Sequence, residues 1–126
     1  MRSAAEGRLR GRRILVAEDE YHIAEEIAQT LTDAGAKVLG PVSTVTQAQA
    51  LAAGEGRIDG ALLDVNLSGR MVWPALDALL RRNIPAVLTT GYDGNSIPAG
   101  YANLPRCEKP VTMHELTDAL LQALSP

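Results

Sequence analysis

Apolar runs alternate with helical patterns five times along 126 residues, which predicts an α/β domain with a parallel sheet covered by helices on both faces. Length supports the same class. The chain suits one domain, and an apolar share of 46% supplies a single packed core. With no Phe, that core is expected to be built from Leu, Val, Ile and Ala.

The elements follow in order. Arg13–Glu18 reads as a first strand ending in acids. Glu20–Ala34 is amphipathic, with Ile23, Ile27 and Leu31 on one face and Gly35 as a stop. Ala36–Leu39 reads as a second strand ended by Gly40-Pro41. Thr44–Ala53 is a helix with a Thr44/Gln47 capping box. Ile58–Val65 is a buried third strand, and Met71–Asn83 a third helix with Pro74 in its first turn and Trp73 covering its start. Ala86–Thr90 and Arg106–Glu108 are the fourth and fifth strands. Thr112–Leu124 closes the chain as a helix with a Thr112/Glu115 capping box. The stretch Gly91–Pro105 holds three Gly and two Pro, so any helix there is short or broken.

Charge divides the chain. Residues 1–13 carry five Arg against Glu6, whereas the remainder carries seven basic and fourteen acidic residues. Residues 1–11 read as a flexible basic N-terminal tail and residues 12–126 as the domain. An acidic domain surface argues against nucleic acid as a partner. No apolar run approaches the ~20 residues of a membrane span, so no membrane partner is expected. The single Cys107, read as a small buried residue of the fifth strand, fits a reducing, cytoplasmic setting.

Ligands in such sheets bind at the C-terminal ends of the strands. There the sequence puts Glu18 and Asp19 on strand one, Asp64 on strand three, Thr90 on strand four and Lys109 after strand five. Each alone has a plainer reading as a cap, a turn hydroxyl or a surface charge. Together they describe one chemistry. Three carboxylates repel one another unless a cation sits among them, and all-oxygen ligands select a hard cation, Mg2+. A carboxylate can act as nucleophile toward phosphorus, while an ammonium and a hydroxyl hold the transferred oxygens.

The segments Ile14-Leu-Val-Ala-Glu-Asp-Glu20, Ala61-Leu-Leu-Asp-Val-Asn-Leu67, Leu88-Thr-Thr-Gly-Tyr92 and Glu108-Lys-Pro110 resemble the receiver domain of two-component response regulators, over roughly residues 12 to 125. The resemblance implies a flavodoxin-like (βα)5 three-layer sandwich with sheet order 2-1-3-4-5. It implies phosphorylation on Asp64 by a sensor histidine kinase or phosphotransfer protein. It implies Mg2+ held by Asp19, by Asp64, by the carbonyl of Asn66 and by Glu18 through water. Thr90 and Lys109 would bind the phosphoryl group, and the peptide bond before Pro110 would be cis. A narrower likeness runs through Ile84-Pro-Ala-Val-Leu-Thr-Thr-Gly-Tyr92, which resembles the signature of the "FAT GUY" receivers, often stand-alone proteins of alphaproteobacterial stress signalling; Ala86, Leu88 and Thr89 depart from it. Most receivers carry an aromatic residue where Arg106 stands, so the switch is expected to run through Tyr92 instead. No output domain follows the last helix, so a stand-alone receiver or a fragment is expected.

Other readings are weaker. A haloacid-dehalogenase-type phosphatase would carry its nucleophile on the first strand, where this chain carries the acid pair. A pseudo-receiver serving only as a protein-binding module would lack part of the phosphate site, and none is missing. A flavin-binding domain would need a phosphate-cradling loop where acids stand. His22 reads as a solvated first-turn residue rather than a phosphorelay histidine.

Overall fold

The computed structural model describes residues 7–91 and 97–125. Five parallel strands form the central sheet: β1 (Arg13–Ala17), β2 (Lys37–Val42), β3 (Gly60–Asp64), β6 (Ala86–Thr90) and β7 (Arg106–Glu108). Just after β3 lies a short antiparallel pair, β4 (Asn66–Leu67) and β5 (Arg70–Met71). The sheet order is β2-β1-β3-β6-β7. Counted over the five sheet strands alone, this is the flavodoxin-like order 2-1-3-4-5. The reversal of direction between β1 and β3 opens a crevice at their C-terminal ends.

Side chains alternate across the sheet, as strand geometry requires. Leu15, Leu63 and Leu88 face one core layer, covered by α2 (Val45–Ala53) and α3 (Trp73–Arg81). Ile14, Val16, Leu62 and Val87 face the other, covered by α1 (Tyr21–Asp33) and α4 (Met113–Leu124). β1, β3 and β6 are therefore apolar on both faces, the mark of strands buried in a three-layer fold. Among the described residues of the 91–105 stretch, the ordered element is one 3-10 turn, Ala99–Tyr101, in place of a full helix.

Several boundaries differ from expectation. β2 does not end before Gly40-Pro41 but runs through them to Val42, with a register shift opposite Leu15–Ala17. It is an edge strand, where a proline lacking an N–H is tolerated. Gly40 has φ +102°, and a Cβ there would lie 2.9 Å from the Val16 carbonyl oxygen. α3 begins at Trp73, because Met71 is taken up by β5. Thr44 caps α2 by accepting from the Gln47 N–H, but the return bond of the expected box is redirected: the Gln47 amide oxygen accepts from Ser43 N–H and the Thr44 hydroxyl. The Thr112/Glu115 box is complete.

The basic stretch before β1 is partly built into the domain. Leu9 is fully buried, its N–H donates to the Ala34 carbonyl at 2.8 Å, and Gly11 N–H donates to Gly35 at 3.1 Å. Gly35 makes this possible. It ends α1 with φ +96°, while Ala36 N–H returns to Leu31 and Gly35 N–H to Thr32. A Cβ at Gly35 would stand 2.9 Å from Arg10 Cα.

Candidate phosphoryl-transfer and metal site

β1 delivers Glu18 and Asp19 just past its last residue, β3 ends in Asp64, β6 ends in Thr90, and the residue after β7 is Lys109. Parallel strands in register bring these termini to one edge. Glu18, Asp64 and Thr90 are buried, while Asp19 is exposed at the mouth. One carboxylate oxygen from each of Glu18, Asp19 and Asp64 lies within 4.8 Å of the others.

Lys109 bridges the buried pair. Its Nζ lies 2.7 Å from Asp64 Oδ2 and 3.1 Å from Glu18 Oε1. The backbone holds it there: Lys109 N–H donates to the Thr90 carbonyl at 2.7 Å, and the Lys109–Pro110 bond is cis. Burial pushes the Glu18 carboxyl above its usual range, aided by the negative charge of Asp64; the N–H of Glu20 and the Lys109 ammonium pull the other way. At Lys109, burial works to lower the pKa, but hydrogen bonds and charges from Asp64 and Glu18 outweigh it and hold the ammonium above its ordinary value.

Backbone donors orient the acids. Asn66 N–H donates to Asp64 Oδ1 at 3.1 Å, Glu20 N–H to Glu18 Oε2 at 3.0 Å, and Ser68 N–H to Asp19 Oδ2 at 2.6 Å. The Asn66 side chain is occupied elsewhere, accepting from Gly69 N–H at 2.9 Å. Thr90 Oγ1 is buried with no hydrogen-bond partner among the described residues. A buried hydroxyl left unpaired is uncommon and costly, and at this strand end it suits an incoming oxygen.

Three close carboxylates, two of them buried, and an orphan hydroxyl fit a hard divalent cation with oxygen-rich company. Glu18, Asp19 and Asp64 are the residues positioned to hold it.

Several solved structures are similar to this chain over most of its length. SdrG from Sphingomonas melonis Fr1 is 34% identical, with 97% of this chain and 98% of that chain covered at a TM-score of 0.69. The BeF3-activated conformation of SdrG from Pseudomonas melonis Fr1 is 36% identical over 89% of this chain and 94% of that one, at a TM-score of 0.66. A response regulator receiver protein from Sinorhizobium medicae WSM419 is 28% identical, covering 92% and 96%, at a TM-score of 0.76. The chain belongs to the response regulator receiver family. No protein-family model and no curated protein matches the sequence.

As a receiver, the protein is a two-component signalling domain rather than a conventional enzyme. Among its described residues, no helix is long and apolar enough to cross a membrane. The remaining residues singled out in the sequence divide. Arg106 is exposed at the start of β7, level with Leu88 and so below the strand end that carries Thr90. Tyr92 lies outside the described residues. Cys107 is half-buried on β7 rather than buried, and burial raises its thiol pKa, with Glu115 adding to the shift. His22 is exposed in the first turn of α1, edge-on to Tyr21 at a ring-centroid distance of 5.6 Å.

Two arrangements near this receiver site escaped the sequence. Trp73 and Tyr101 stack with ring centroids 4.8 Å apart and planes 10° from parallel, and the Tyr101 hydroxyl donates to Asp77 Oδ1 at 2.6 Å. They pin the short turn after β6 onto α3. Ser68 contacts Asp19 through its backbone, which leaves no side-chain pattern to read.

Proposed function

We propose that this receiver accepts a phosphoryl group on Asp64 from a histidine kinase or phosphotransfer protein, in a Mg2+-dependent reaction, and signals through a protein partner. The observation that carries this reading is the Lys109 ammonium bonded to both Asp64 and Glu18 beside an unpartnered Thr90 hydroxyl.

A carboxylate oxygen of Asp64 forms a bond to phosphorus while the bond from phosphorus to the donor's imidazole nitrogen breaks. The imidazole keeps the electron pair and takes a proton from water. Asp64 is fit to attack because Asn66 N–H holds Oδ1 and leaves the carboxylate oriented. Lys109 turns from Asp64 Oδ2 to a phosphoryl oxygen, and Thr90 Oγ1 donates to another. Glu18, Asp19 and Asp64, with the Asn66 carbonyl, would hold Mg2+, which supplies charge neutralisation and open positions for phosphoryl oxygens.

The finer assignments belong to the same reading. The likeness of residues 84–92 to the "FAT GUY" signature supports that subgroup. Arg106 offers no ring to turn inward, so we assign the readout to Tyr92, two residues beyond Thr90. The lone cysteine supports a cytoplasmic setting. The division into a basic N-terminal tail, residues 1–11, and a receiver domain, residues 12–126, belongs to the same reading, although Leu9 within that tail is buried.

Intact-mass spectrometry after acetyl phosphate tests the proposal. The expected result is one added phosphoryl group with Mg2+, little without it, and none in Asp64→Asn. Equal labelling of the Asn variant would move the site elsewhere.

A further inference from the structure

The short β4–β5 hairpin stands directly over the mouth of the site. Its frame is fixed from below. Leu67 and Val72 are buried, and Val72 N–H donates to the Val65 carbonyl at 2.9 Å. The tip, Ser68-Gly69, is exposed, and both residues have left-handed backbones, with φ +52° and +86°. For glycine this is ordinary. For serine it is uncommon and needs a reason in the surroundings.

The surroundings supply one. In this conformation the Ser68 N–H points at Asp19 and donates to Oδ2 at 2.6 Å, while its hydroxyl donates to the Ser43 carbonyl at 3.2 Å. One residue thus ties the segment after β3 to the segments after β1 and β2. Asp19 is the exposed member of the acidic trio and, among the described residues, has no other hydrogen-bond donor. Glu18 and Asp64 are steadied by burial and by Lys109; among the described residues, Asp19 has this clamp alone.

We propose that Ser68 is a positioning residue for Asp19: its hydroxyl, anchored on Ser43, holds its own N–H against Asp19 Oδ2 and so fixes the carboxylate beside Glu18 and Asp64 for a divalent cation. This inference rests on the reading of Asp19 as a metal ligand. Loss of such an outer partner costs metal affinity rather than the fold, and roughly tenfold in affinity is the expected size. Because Leu67 and Val72 fix the hairpin, substitutions at its tip leave the domain folded.

The test compares Mg2+ binding by calorimetric titration with the metal-free melting temperature in the full chain. Ser68→Gly and Ser68→Ala both lose the hydroxyl, but only Gly relieves the left-handed backbone. The expected result is Mg2+ binding weakened roughly tenfold in both, with a metal-free melting temperature that is unchanged or higher in Ser68→Gly and unchanged or lower in Ser68→Ala. Affinity and stability then move independently. If Ser68→Gly binds Mg2+ like the parent, or if affinity follows melting temperature across the two variants, the hydroxyl clamp is wrong while the metal site stands. If the parent itself binds no Mg2+, the metal site and the clamp fall together.

Discussion

Lys109 Nζ lies 2.7 Å from Asp64 Oδ2, so the proposed electrophile binder is salt-bridged to the proposed nucleophile before any phosphate arrives. Both partners are partly or wholly withdrawn from water, and removing the cation would leave two buried carboxylates facing each other. Lys109→Met should therefore destabilise the metal-free protein by about 1–3 kcal/mol near neutral pH, below the usual cost of breaking a buried pair because the lysine is partly exposed. Mg2+ should restore more stability to this variant than to the parent, and labelling by acetyl phosphate should slow by roughly 10²-fold. Urea denaturation with and without Mg2+ checks the first claim. Equal stabilisation of variant and parent by Mg2+ would contradict it.

Thr90 presents the opposite case, a buried hydroxyl that contributes nothing by hydrogen bonding to the described fold. Thr90→Val keeps the shape and removes the unsatisfied group, so stability should stay within about 1 kcal/mol of the parent or rise. Phosphoryl transfer should nevertheless slow markedly, because a donor for one phosphoryl oxygen is gone. A stability loss well beyond that range would mean that the hydroxyl already has a structural partner.

Tyr101 links pH to the turn after β6. Its hydroxyl donates to Asp77, and this bond, with smaller help from burial and the Asp77 charge, raises its pKa above 10.0. A raised folded-state pKa means stabilisation that is present below the unfolded value and is lost as pH rises through the folded one. The parent should thus lose stability relative to Tyr101→Phe in alkaline solution, above about pH 10. Near pH 7 the Phe variant should be weaker by less than about 1 kcal/mol, since the stack on Trp73 survives. Melting temperatures across this range decide it, and parallel curves for the two proteins would refute the coupling.

Leu9 is buried between the end of α1 and the helical layer it shares with α4. Leu9→Ala should cost about 2–4 kcal/mol, as for a core leucine. Chemical denaturation measures it; a loss under about 1 kcal/mol would show residues before β1 to be a dispensable arm.

What the chain determined by itself is the pattern that local chemistry writes. Strand-period and helix-period apolar spacing placed the five sheet strands and four helices, and the strand-terminal residues Glu18, Asp19, Asp64, Thr90 and Lys109 were readable because parallel strands must end on the same side. Tertiary structure decided what depends on residues far apart in sequence. The capture of Leu9 by Ala34 required Gly35 to bring α1's end against Arg10. The continuation of β2 through Gly40-Pro41 required an edge position, where no neighbour asks for the missing N–H. The Trp73–Tyr101 stack joins residues from different turns of the chain, and the Ser68 contact to Asp19 is made by a backbone N–H that every non-proline residue carries. Neither leaves a mark in composition or period, since each exists only once the sheet has set the distances between its loops.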